Sequence, residues 1–248
     1  MISDGALSQD EIEALLKGSD EAFGGTETAS DGNVDKQLFN EAAKIIADNQ
    51  AFSLSSISTK TVTITNIATT IGNTTNLQQM LSGKMVEAKV SYTGSISGNA
   101  YYFMGEKESL AISSFMMGQK EEILNDMVAQ ALKEAFSQMI GSSDSALTSR
   151  FGGNFTNSPV ETSILEDAST INISGSLAIV NGTATIEGEF ENAPYVLAME
   201  LPLLQALIGN SKSSSGNSAS NSNSGDSNNN EFEPSNQLGV QHAEFNSL

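Results

Sequence analysis

Two rows of apolar residues run side by side through residues 121–149, both in steps of four. One row is Ile123, Met127, Ala131, Ala135 and Met139; the other is Leu124, Val128, Leu132, Phe136 and Ile140. Side chains four apart share a helix face, so the pattern predicts one long helix with a broad buried side. Gly152-Gly153 breaks it. A face this wide must be covered, so the rest of the chain has to supply a layered core. The Met and Phe content reads as packing material rather than a cofactor site.

A second helical stretch is expected over residues 34–58, with Leu38, Ala42, Ile45, Ile46 and Phe52 along one stripe. Strict alternation over residues 61–65 predicts a strand, and turn signals follow at Gly72-Asn73 and Ser82-Gly83. Residues 85–92 and 100–104 read as an antiparallel hairpin, and residues 106–117 as a short helix ending at Gly118. Beyond the long helix, residues 171–180 and 183–190 are expected to form another hairpin around Asn181-Gly182, with a short helix over 202–208. The order helix, strand, hairpin, short helix thus occurs twice. The expected fold is an α/β domain over residues 34–210, made of two pseudo-symmetric halves. Each half carries a long helix and antiparallel strands.

Flexible tails are expected on both sides. Residues 19–33 are rich in Gly, Asp, Glu and Thr, and residues 211–235 are dominated by Ser, Asn and Gly. Ahead of the first linker, residues 1–18 are expected to form a short amphipathic helix. Ser8 and Glu11 have the spacing of a capping box, Leu7 and Ile12 that of a hydrophobic staple, and helical spacing would bring Ile12, Leu15 and Leu16 to one face. Asp10 suits the positive end of the helix dipole, and Gly18 suits the exit. A helix of about three turns is marginal alone in water. It either folds into a groove on a partner or packs back on its own domain.

The formal net charge of −19 argues against nucleic acid as a partner, because phosphate contacts need clustered Lys and Arg. Cysteine is absent and the single histidine, His242, sits in a polar tail. Disulfides, a Cys nucleophile, a Ser-His triad and a multi-histidine metal site are therefore set aside. No signal peptide and no membrane-length apolar run is visible, so direct membrane insertion is not expected and a cytoplasmic setting is. No cofactor is expected.

The run Leu7-Ser8-Gln9-Asp10-Glu11-Ile12-Glu13-Ala14-Leu15-Leu16 resembles the N-terminal segment of the flagellar switch proteins FliM and FliY. In that family the segment binds the phosphorylated chemotaxis regulator CheY, itself Mg-dependent. The resemblance implies contacts through Leu7, Ser8, Asp10, Glu11, Ile12, Leu15 and Leu16. The run Lys133-Glu134-Ala135-Phe136-Ser137-Gln138-Met139-Ile140-Gly141-Ser142-Ser143 resembles the CheC-like phosphatase domain of FliY proteins. Stretches 111–118 and 193–207 support it, and 39–65 match more weakly. The tail, residues 236–248, resembles the lead-in to a FliN-type domain, which the sequence given does not contain.

The family implies a Glu-x-x-Asn motif on each long helix. Its Glu pairs with CheY, and its Asn amide positions a water in line with the aspartyl-phosphate. Such chemistry is largely positioning and charge handling. Here Glu134 matches the Glu of the second half, but Ser137 replaces Asn, Gln130 replaces the preceding Asp or Ser, and Pro159-Val160 fall near the expected Pro. In the first half Glu41 matches, while Lys44 replaces Asn and Ile67 replaces Pro. A Ser hydroxyl holds a water less well than an amide, and Lys offers donors but no acceptor. A literal Glu122-x-x-Asn125 is out of register with the matching segment and reads as coincidence.

The resemblance therefore implies a CheY-binding motor-switch component at the cytoplasmic face of the flagellar basal body, with FliM, FliN and FliG as neighbours. Its hydrolysis is expected to be weak or absent, with Glu41, Glu134 and Ser137 as the remaining candidate catalytic groups. The alternatives are an active CheY-phosphate phosphatase and a purely structural FliM-like rotor subunit.

Overall fold

In the computed structural model, residues 34–214 are described. Helix α1 (Lys36–Ser58) leads into strand β1 (Val62–Gly72) and the short helix α2 (Thr74–Gln79). Strands β2 (Met85–Gly94) and β3 (Gly98–Gly105) form a hairpin, followed by α3 (Glu106–Met117). The second half repeats this with α4 (Asp126–Phe151), β4 (Phe155–Asn157), β5 (Glu161–Leu165), hairpin strands β6 (Leu177–Ile186) and β7 (Phe190–Glu200), and α5 (Leu201–Ser214).

The sheet order is β1-β6-β7-β3-β2-β4, with β5 also on β2, and every pairing is antiparallel. Read from either end, the order is the same once the halves are exchanged. The first strand of each half pairs with the hairpin of the other, so neither half completes a sheet alone. The alternation of β3 shows the two faces: Ala100, Tyr102 and Met104 point into the core beneath α1 and α4, while Tyr101 and Phe103 join a smaller cluster with Leu77 of α2. The long helices pack on each other antiparallel. Glu41 near the start of α1 meets Arg150 near the end of α4, and Asn49 meets Ser142 midway.

Each long helix starts at a side-chain cap. Asp35 accepts from the N–H groups of Gln37 and Leu38, and Asn125 from those of Met127 and Val128. The second cap moves the start of α4 from the expected residue 121 to Asp126. Ile123 consequently precedes the helix at 70% exposure, and Met127 lies off the buried face at 61%. Leu124, Val128, Leu132, Ala135, Phe136, Met139 and Ile140 are buried as the pattern implied. On α1 the buried face runs through Phe39, Ala42, Ala43, Ile46, Ala47 and Leu54, rotated from the expected stripe. Small Ala side chains on this face let α1 approach its neighbours closely. Leu38 and Ile45 are half-buried, and Phe52 is 70% exposed.

The expected hairpin at Asn181-Gly182 is a correction. Strand β6 runs straight through that dipeptide, and the turn lies at residues 187–189, where Gly188 has φ +78. Gly182 answers a different need. Its partner strand β1 bulges between Thr65 and Ala68, with Asn66 at φ 56. A Cβ on Gly182 would lie 2.7 Å from the Thr65 carbonyl oxygen. The glycine marks close backbone approach, not a turn.

Candidate functional site on the helix pair

The residues implied as catalytic all lie on α1 and α4, along the outer side of the helix pair. Glu134 is exposed, and its Oε1 accepts from Gln138 Nε2 at 3.1 Å, one turn on. Ser137, three residues later, donates its hydroxyl to the Lys133 carbonyl at 2.8 Å. The hydroxyl proton is thus spent on the helix itself, as Ser side chains in helices commonly do. Gln130 is exposed on the same side.

The first half is more tightly bound. Arg150 grips Glu41 through two parallel hydrogen bonds, Nε to Oε1 and Nη2 to Oε2, the latter at 2.8 Å. This bidentate pairing fixes the carboxylate plane. Lys44 extends the other way and pairs with Asp48 at 2.9 Å. Both groups of the first-half motif are therefore engaged within α1 and α4. By the pseudo-symmetry that pairs Asn49 with Ser142, Ile57 stands where Arg150 does, so Glu134 has no equivalent clamp.

Glu122 and Asn125 do not form a helical pair, since Asn125 is the cap of α4 and Glu122 lies before it. Pro159 falls in the gap between β4 and β5, the place on one sheet edge that matches the Asn66–Ile67 bulge on the other. Leu7, Ser8, Asp10, Glu11, Ile12, Leu15 and Leu16 lie outside the described residues. Among the described residues no three His, Cys, Asp or Glu gather as a metal ion requires, and no helix is long and apolar enough to cross a membrane.

Sequence reasoning missed a polar cluster beneath the helices. Asp144 of α4 accepts from the Tyr92 hydroxyl at 2.9 Å and from Asn157 Nδ2 at 2.7 Å. Burial lifts its carboxyl to about 6, and the two hydrogen bonds pull only partly against that. Nothing in the spacing of residues 92, 144 and 157 announces the cluster. The folded protein holds a proton on Asp144 more tightly than the unfolded chain does. Its stabilising effect is complete below about pH 4 and lost as pH rises through 6, a change of about 3 kcal/mol. We expect urea denaturation at pH 4.5 and 7.5 to show a smaller pH-dependent loss in Asp144→Asn than in the parent. Equal slopes would remove Asp144 from the account.

An antiparallel sheet whose halves exchange strands, beneath two antiparallel long helices, is the CheC-like α/β fold shared by flagellar switch and chemotaxis proteins. No protein-family model matches the chain. In sequence it is 25% identical over 167 residues to the flagellar motor switch phosphatase FliY of Bacillus subtilis, a match covering 64% of this chain and 44% of that relative's length. In structure it is similar to FliY of Thermotoga maritima, with TM-score 0.63, 23% identity, and coverage of 72% of this chain and 96% of that one. It is also similar to the FliM of a FliG–FliM complex from H. pylori, with TM-score 0.58, 11% identity, and coverage of 71% and 100%. In sequence and in fold the chain is thus similar to FliY proteins, and the match spans less than half the length of the B. subtilis relative.

Proposed function

We propose that the chain is a receptor for phosphorylated CheY in the flagellar switch, with little hydrolytic activity of its own. The N-terminal segment, residues 7–16, captures CheY, and the α1–α4 face provides a second, weaker contact. Tethering the two on one chain raises the local concentration of CheY at the domain. FliM, FliN and FliG are the proposed neighbours, at the cytoplasmic face of the basal body.

The observation that carries the low-activity reading is the state of the two motif positions. Ser137 is bonded to its own helix, and Lys44 to Asp48. Neither presents a carboxamide to a water. Losing one positioned hydrogen-bonding group costs about 10² to 10³ in rate where such groups are catalytic. With purified phospho-CheY, the chain is expected to leave the decay of the aspartyl-phosphate close to its spontaneous rate. A strong acceleration that disappears in Glu134→Ala would instead establish an active phosphatase. That rival reading has one observation on its side, the exposed and unclamped Glu134.

A further inference from the structure

Under the helix pair the two halves each build a small cavity, and the cavities are related by the same pseudo-two-fold axis as the helices. One, of about 20 Å³, is lined by Ile46, Leu147, Met199 and Leu207. The other, of about 40 Å³, has Met139, Leu54, Met104 and Ile112 in the matching places. Tyr102 borders both. Each is bordered by one polar side chain from a long helix, half-buried in the smaller cavity and fully buried in the larger, and here the halves differ.

In the smaller cavity that group is Asp144, and both carboxylate oxygens have partners, Tyr92 and Asn157. In the larger it is Gln50, fully buried at 0% exposure. Its Oε1 accepts from the Tyr195 hydroxyl at 2.9 Å, and its Nε2 has no protein partner. Turning the carboxamide over does not help. Nε2 would then donate to Tyr195, and Oε1 would be left alone. Either orientation leaves one strong, buried hydrogen-bonding atom without a protein partner, which folded proteins rarely tolerate.

We propose that the Gln50 cavity is a binding site for one internal water, which takes the role that Asn157 plays for Asp144. The size fits, since on this measure about 10–15 Å³ is enough to hold a water. So does the chemistry. A buried water usually makes about three hydrogen bonds. Gln50 Nε2 supplies a donor and the Tyr195 oxygen a further acceptor, and Glu108 also borders the cavity. The remaining wall excludes larger polar ligands. The water ties α1 to β7 and α3, across the boundary between the halves.

The test uses water itself as the probe, on the full chain. Oxygen-17 relaxation dispersion counts internal waters that exchange slowly with bulk. The parent is expected to show one more such water than Gln50→Met/Tyr195→Phe, in which the carboxamide and the hydroxyl that hold the water are removed. Equal dispersion amplitudes for the two folded proteins would overturn the assignment. Should the double variant fail to fold, the parent alone decides. Cross-relaxation between the Gln50 side-chain amide protons and water is expected, and its absence rejects the site.

Discussion

Ser137→Asn is expected to accelerate the decay of phospho-CheY by about 10²-fold over the parent chain, the size of effect that one positioned donor has in other hydrolytic sites. Under the proposed function, the second half lacks mainly an amide. Glu134 is exposed and accepts only from neutral Gln138, so it is available to a partner. Residue 137 is one turn further along the helix, where an Asn side chain reaches past the helix backbone and offers both a donor and an acceptor. Serine and asparagine have similar helix propensities, so the exchange leaves α4 intact. The matching change in the first half, Lys44→Asn, is expected to do far less. Glu41 is held by Arg150 and turned toward α4, so restoring the amide leaves its acidic neighbour occupied. Measured side by side on purified phospho-CheY, a gain from Ser137→Asn alone supports this reading. Equal gains would show that the Arg150 clamp does not matter, and no gain from either would show that more than the amide is missing.

How far the sequence reveals this domain depends on the range over which each signal acts. Local signals carried well. The two long helices, the β2–β3 hairpin and α3 ending at Gly118 follow from periodicity and from glycine at a left-handed exit. Repetition of element order pointed to paired halves, and the exchanged sheet order of the structure is their physical form. The failures are non-local. Asn181-Gly182 has the composition of a tight turn, yet the bulge on β1, more than a hundred residues earlier, is what requires its glycine. On α1, Ala42 and Ile46 of the expected stripe are buried, but Phe52 is exposed while Ala43 and Ala47 are buried, since close helix packing favours the smaller residues. The state of the motif residues was legible only in part. The lost Asn positions can be read from the chain. That Arg150, 109 residues away, clamps Glu41 while Glu134 escapes cannot. The same holds for Asp144 with Tyr92 and for Gln50 with Tyr195, whose partners come from distant strands.

The double substitution Leu15→Asp/Leu16→Asp is expected to weaken binding of phosphorylated CheY by about 100-fold or more, since buried leucine anchors in an interface are worth roughly 1.5–3 kcal/mol each and a buried unpaired carboxylate adds to the loss. If the α1–α4 face carried most of the affinity, its polar outer side would have to supply the anchors. Phe52 and Met127 are the large apolar side chains exposed there, at 70% and 61%, and the groups around them are Lys44, Asp48, Gln130 and Glu134. A face of that kind gives a contact that benefits from proximity more than one that captures a partner from solution. Ile12, Leu15 and Leu16 have the character of an anchor, three large aliphatic side chains at a spacing that a helix would bring to one face. Isothermal titration with stably phosphorylated CheY measures the difference, with urea denaturation of the same variant as the check that the domain is unchanged. Unaltered affinity in a normally folded variant would sink the proposal that the N-terminal segment is the principal receptor. Phe52→Ser separates the two surfaces: it is expected to change affinity by less than about tenfold in the full chain, and an effect matching that of the leucine pair would move the main binding site onto the domain.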